Sequence, residues 1–386
     1  MQNSFFLLLK NSSMVSYCKK CLLPSSKPYI KFDNHGVCLA CNFHLKKSKN
    51  NKYKSINWEK RKKEFSKLIK EIKKKRSPLF DVCVPVSGGK DSITQVSYLL
   101  NKNLRILCVN IDYGIKTKIG IQNLNCIPAM GASLITYRPN LVMQKKIIRK
   151  SFENFGDPDL MSHCLLHALP IRIAINMNIP MVLLGENAAY EYSGENTYDE
   201  KKMSQRWFKH YASNSGLTPK KFSQIYKIPY KLMRIYDLPN DVDLKKTKAV
   251  FCSYFFKWSS EKNLKTAKKY GFKTLNKPAE GTFRNYVGID EKINRIHQYI
   301  KLLKFGYGRG TDHACEDIRN KKINRKEGIK IVKKYDRVKL SNYFIKDFIN
   351  FIGIKKSDFF KTLDKFTNKR IWINKKGKLI IKKEIE

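Results

Sequence analysis

From residue 80 onward, short apolar runs alternate with stretches whose apolar residues recur at helical spacing. Residues 80–86 (FDVCVPV) read as a buried strand, and 105–112, 132–137 and 180–184 as three more. The first run ends at Gly88-Gly89, ahead of a helix predicted over 92–100; the second is closed by Gly114. A further helix, over 165–176, precedes the fourth run, which ends at Gly185. Strands alternating with helices predict an α/β fold: a parallel sheet covered on both faces, with its ligand site at the carboxyl ends of the strands. Beyond Glu195 the pattern turns helical and aromatic-rich, with helices expected over 291–305, 326–335 and 343–364. Upstream, 48–76 is lysine-rich with Trp58, Phe65, Leu68, Ile69 and Ile72 at helical spacing, which predicts a surface helix leading into the main domain.

The chain thus divides into a compact ribbon at 14–47, a helical linker at 48–79, an α/β domain at 80–290 and a helical region at 291–386. Residues 1–13 are unlike the rest of the chain and read as a frayed tail, or as a misplaced start with Met14 the alternative initiator.

Composition adds class. With 42% hydrophobic and 12% aromatic residues the chain is globular, not disordered. No apolar run approaches bilayer length, and the cluster at residues 5–9 is shorter than an export signal and has no basic stretch before it. A cytoplasmic location is expected. The net charge of +46 invites a nucleic-acid partner. Its excess is lysine spread from end to end in a chain also rich in asparagine and isoleucine, which reads as compositional drift and makes a nucleic-acid partner unlikely. A binding stripe would concentrate charge and interleave it with arginine and aromatics.

The chemistry centres on Ser87-Gly88-Gly89-Lys90-Asp91-Ser92, set between a strand and a helix. Glycines let the backbone approach a ligand closely, and the helix start offers unpaired N–H groups to an anion. Ser87 and Ser92 can donate hydroxyl hydrogen bonds, and Lys90 supplies a point charge for phosphate. The glycine-to-lysine spacing is too short for a Walker loop. Cys18-x-x-Cys21 and Cys38-x-x-Cys41, separated by sixteen residues, have the spacing of a closed, structural zinc ribbon. His35 and His44 read as bystanders, and a redox dithiol is the competing reading.

Other features carry less. Asp112, ending the second strand, can meet a nucleotide or cap the following turn. Gly185-Glu186-Asn187 follow the fourth strand, where Glu186 can hold Mg²⁺, steer ammonia or stay solvated. His163, Cys164 and His167 read as a helix start with one buried histidine. The segments at 281–284 and 306–313, with Arg284, Arg309, Asp312 and His313, combine flexible backbone with polar groups and read either as plain turns or as anion-binding loops.

The hexapeptide SGGKDS resembles the PP-loop of N-type ATP pyrophosphatases. Together with YCKKCLLPSSKPYIKFDNHGVCLAC, FENFGDP (152–158), PIRIAINMNIPMVLLGEN (170–187), EGTFRNYVGIDEKI (280–293) and KFGYGRGTDHACEDIR (304–319), it makes the chain resemble the N-acetyl sugar amidotransferases of bacterial lipopolysaccharide O-antigen and flagellin glycan pathways. The resemblance runs from about Met14 to near the C-terminus. It implies a PP-loop domain of the adenine-nucleotide hydrolase type, ATP and Mg²⁺ as reactants, structural Zn²⁺, and conversion of a sugar acetamido group to an acetamidino group. Ammonia is then expected from a separate glutaminase similar to that of histidine biosynthesis, with a cyclase-like channelling partner; no glutaminase domain is evident here. On this reading 87–92 with Asp112 and Gly185 bind ATP, and Lys90, Asp91 and Ser92 are catalytic. Glu186, Asn187, Arg284, Arg309, Asp312 and His313 meet substrate or Mg²⁺, and the four cysteines hold zinc. A tRNA-modifying PP-loop enzyme, of thiolase or lysidine-synthetase type, is the rival. A degenerate nucleotide-binding scaffold is the non-enzymatic alternative.

Overall fold

The computed structural model describes residues 15–46, 56–75, 77–188, 200–212, 216–376 and 378–385. Five parallel strands form one sheet: β1 (Val82–Pro85), β2 (Ile106–Ile111), β3 (Ser133–Tyr137), β4 (Met181–Leu184) and β5 (Lys248–Phe251), in the order β3-β2-β1-β4-β5. Val82 lies opposite Ile106, Leu107 opposite Ser133, Cys83 opposite Val182 and Met181 opposite Lys248. Every residue of β2 is buried, as two covered faces require. Successive side chains alternate between the layers. Cys83, Leu107, Val109 and Val182 pack with the helix Leu160–Asn176, whereas Val82, Val84, Ile106 and Leu183 pack with Ile93, Val96 and Leu99 of the helix Lys90–Leu100.

The four expected strands are present to within two residues at each end. The fifth lies where the pattern predicts helix. Its four residues, KAVF, are too few to establish a period, and only pairing with β4 reveals them. The helix Trp58–Lys74 is not a surface linker. Phe65, Ile69 and Ile72 are buried against the sheet layer, with Phe65 centred 5.1 Å from the ring of Phe255.

The C-terminal region is helical through Ile293–Phe305, Arg309–Arg319, Arg325–Tyr335, Asn342–Ile352 and Lys356–Phe366, then closes with an antiparallel pair, Trp372–Lys375 and Lys378–Ile381. The single helix expected over 343–364 is two, because Gly353 leaves the first in a left-handed conformation (φ +66°). These helices meet the α/β domain through Ile148 and Phe152, with Phe152 stacked on Phe359 at 5.5 Å. The cysteine ribbon docks on the same region: Leu22 and Leu23 pack with Ala314, Cys315 and Val332, and Ser26 Oγ donates to the Phe305 carbonyl at 2.6 Å. The ribbon and the C-terminal helices therefore share one apolar cluster.

Candidate functional site

Beside β1 the strand order reverses, with β2 on one side and β4 on the other. Chain leaving the carboxyl ends of β1 and β4 diverges there and opens a crevice. Residues 87–92 fill one lip. Gly88 sits at φ +86°, and a Cβ there would lie 2.7 Å from the Leu124 backbone nitrogen, so both conformation and packing demand glycine. Gly89 caps the helix Lys90–Leu100 without a side-chain partner for its first N–H groups. The Gly89 N–H donates to Ser87 Oγ at 3.1 Å, and Ser92 Oγ donates back to the Gly89 carbonyl at 2.9 Å. Lys90, though buried, keeps its ammonium 2.5 Å from Asp91 Oδ2. Asn263 donates to the other Asp91 oxygen at 2.7 Å. The loop is held by its own hydrogen bonds, with its cation compensated internally.

On the other lip, Gly185 and Glu186 follow β4. The Gly185 carbonyl accepts from the Ser253 N–H at 3.4 Å. Burial pushes the Cys252 thiol pKa up, and the carboxylates of Asp91 and Glu186 push the same way, which sets these two acids near that sulfur. Asn187 is an internal brace: its N–H donates to Ser253 Oγ at 2.9 Å and its Oδ1 accepts from the Trp207 indole at 2.8 Å. Asp112, past β2, accepts from the Gly114 N–H at 2.9 Å and from Arg138 at 2.5 Å. Burial pushes its carboxyl up, but Arg138 and the Gly114 N–H outweigh that and hold it below the usual range.

The structure then brings a distant segment to the loop. Asp290 lies beside Ser87, and burial raises its carboxyl pKa against the pull of Lys116, Ser87 and Arg309. Gly120 makes room for it, since a Cβ there would stand 2.2 Å from the Asp290 carbonyl oxygen. The Tyr286 ring lies 5.9 Å from both the Lys90 ammonium and the Arg284 guanidinium. Arg284 is buried and bridges Glu316 and Asp317, each at 2.7 Å, so it ties this segment to the helix Arg309–Arg319. His313 on that helix shares a 2.6 Å hydrogen bond with Thr282 Oγ1. Burial, then the charges of Arg284, Arg309 and Lys90, hold His313 well below the usual histidine pKa, as a neutral ring beside the loop. Asp312 is paired with Lys301.

The glycine–arginine loop at 306–310 has its anion already. Asp336 accepts from the N–H groups of Gly308 and Gly310, each at 2.7 Å, and from Thr311 Oγ1 at 2.6 Å. A Cβ on Gly308 would stand 2.6 Å from that carboxylate, which accounts for the glycine. The backbone of the loop is thus occupied, while the Arg309 side chain donates to Asn294 Oδ1 at 3.2 Å.

The four ribbon cysteines are buried with their sulfurs all within 4.8 Å of one another. Cys18 Sγ accepts from the N–H groups of Lys20, Cys21 and Cys38 at 3.3–3.4 Å, the pattern that stabilises a thiolate. Burial opposes the charge on the Arg319 guanidinium, but the surrounding cysteines outweigh it and hold that cation in place. A sulfur-only set at this spacing, with an adjacent cation, fits tetrahedral Zn²⁺. Neither His35 nor His44 belongs to the cluster. The other cysteine–histidine group is core: Cys164 donates to the Leu160 and Ala212 carbonyls, and the His167 ring packs edge-on against Trp207 at 5.0 Å.

Sequence reasoning misses Asn263, Tyr286, Asp290 and Asp336. Each acts across more than twenty residues of sequence, and only the acid following a glycine at 288–290 offers a local signal. Residues 280–385 match the family model described as LPS biosynthesis protein WbpG-like, C-terminal domain, about a quarter of the chain. No curated protein matches the chain. The matched segment begins at the residues that close over the 87–92 loop. It points to a lipopolysaccharide biosynthesis enzyme.

Proposed function

We propose that the chain is a PP-loop ATP pyrophosphatase acting as an N-acetyl sugar amidotransferase in lipopolysaccharide O-antigen or related flagellin glycan biosynthesis. One observation carries this reading. The WbpG-like segment contributes Asp290, Tyr286, Arg284 and His313 to the surroundings of the 87–92 loop, which supports reading the loop as a phosphate site that serves a polysaccharide-pathway enzyme.

The chemistry divides into two displacements. The acetamido oxygen attacks the α-phosphorus of ATP and pyrophosphate leaves; ammonia then adds to the activated carbon, loses a proton and expels AMP with the original oxygen. The open N–H groups at residues 90–92 would take the departing phosphates, and Lys90 would exchange its Asp91 partner for their developing charge. Asp91, released, would hold Mg²⁺ together with Glu186, and the ion would neutralise phosphate oxygens. Ammonia would come from a separate glutaminase, with a cyclase-like protein as channelling partner. The cysteine cluster would hold structural Zn²⁺. Among the described residues no helix is long and apolar enough to cross a membrane.

The test is incubation with ATP, ammonium and a panel of bacterial acetamido sugars, read by mass spectrometry. Replacement of one oxygen by NH in a sugar, dependent on ATP, is the expected result. No converted sugar, with a specific tRNA nucleoside altered in mass instead, would overturn it.

A further inference from the structure

Next to the loop lies a cleft of about 730 Å³, walled by the turn at 116–119, the segment 275–295, Arg309 and the helix Asn342–Ile352. That volume holds a nucleotide-sized ligand, well beyond one sugar ring. Glu291 lines it and is adjacent in sequence to Asp290, whose carboxyl lies beside Ser87, so the cleft and the 87–92 loop are neighbours through two consecutive residues. Apolar Leu275, Val287 and Ile289 line it as well.

The charges on its walls do not cancel. Arg295 pairs with Glu280 at 2.7 Å, and Lys292 pairs with Asp347. Lys116, Lys118 and Arg309 line the cleft and make no ion pair among the described residues. The remaining acid is Glu291, whose Oε1 accepts from the Asn294 N–H at 2.9 Å while its buried Oε2 has no partner. Burial, then Asp159 and Asp290, raise its pKa well above the usual range, so it subtracts little from the positive balance.

Resting on the reading above, we propose that this cleft is the acceptor site: it takes an acetamido sugar bearing an anionic group, with that group on Lys116 and Arg309 and the acetamido end toward Ser87. The anion is a sugar carboxylate or the diphosphate of a nucleotide sugar, and two probes separate them: N-acetylneuraminic acid and UDP-N-acetylglucosamine. Saturation-transfer NMR with the full chain should show at least one probe bound in millimolar range. Lys116→Ala and Arg309→Ala should each weaken that probe by at least about tenfold, the usual cost of removing a charged hydrogen-bond partner. Both variants should bind a fluorescent ATP analogue as the wild type does, which also shows that they fold. Lys90→Ala should do the reverse. Failure of both probes to bind the wild type overturns the proposal, as does binding indifferent to Lys116 and Arg309. Loss of ATP binding by the wild type would instead sink the pyrophosphatase reading, while a probe held by Lys116 and Arg309 would still establish the cleft.

Discussion

Asp336 offers the sharpest energetic test of how the site is assembled. Its carboxylate is buried and takes three donors, the N–H groups of Gly308 and Gly310 and the hydroxyl of Thr311, all at 2.6–2.7 Å. Asp336→Ala strands these donors at the start of the helix that carries Arg309 and His313. A buried unsatisfied donor costs about 1–3 kcal/mol; with water entering the space left by the carboxyl, the total is roughly 3–5 kcal/mol. Asp336→Asn keeps one acceptor oxygen and turns an NH₂ toward a donor, for about 1–2 kcal/mol. Chemical denaturation followed by tryptophan fluorescence should rank wild type above Asn above Ala. Because the helix also sets Arg309 against the cleft, binding of acceptor probes should fall in the same order. An alanine variant as stable as wild type, or an asparagine variant no better than alanine, would show that Asp336 does not organise the helix start.

Two further outcomes rest on the same physics. Metal analysis should find one Zn²⁺ per chain, and Cys38→Ser should lose it together with solubility. Since the ribbon shares its apolar cluster with the helices Arg309–Arg319 and Arg325–Tyr335, chelation should also lower their melting temperature; metal-free protein of full stability would refute this. The second concerns His297, whose Nδ1 lies 2.9 Å from Asp157. Burial lowers the His297 pKa, but Asp157 outweighs it and the net shift is upward; Asp157 itself is held at about 2, its burial outweighed by His297. The raised histidine contributes fully below its unfolded pKa of about 6.5 and loses its contribution as pH rises through the folded value. The depressed aspartate contributes above about 3.9 and loses it as pH falls toward 2. The stability deficit of His297→Gln should therefore peak between about pH 4 and pH 6.5 and shrink in alkali. A deficit that grows with pH would contradict the pairing.

The sheet was legible because β1, β2 and β4 are apolar runs that lead into glycine turns, and burial on both faces leaves a strand little freedom of composition. The 87–92 loop and the two CxxC pairs were legible because their chemistry is local. The fifth strand was not, having too few residues for a period. Nor was the burial of the helix Trp58–Lys74, whose numerous lysines mask a narrow apolar stripe. Residues 306–313 show the deeper limit. Glycines and an arginine advertise an anion site, but whether the anion is a ligand or the chain's own Asp336 depends on a contact between residues more than twenty apart. Arg284 is alike: an arginine suited to phosphate spends both arms on Glu316 and Asp317.

The central claim is that one site activates an acetamido oxygen with ATP. It is tested most directly by the fate of that oxygen. The sugar converted in the panel is prepared with oxygen-18 in its acetamido carbonyl and incubated with ATP and ammonium, and the nucleotide product is read by mass spectrometry. The account predicts AMP carrying the heavy oxygen, formed together with unlabelled pyrophosphate, and none from the Asp91→Ala chain. Label in orthophosphate with ADP as the nucleotide product, or unlabelled AMP, would contradict it.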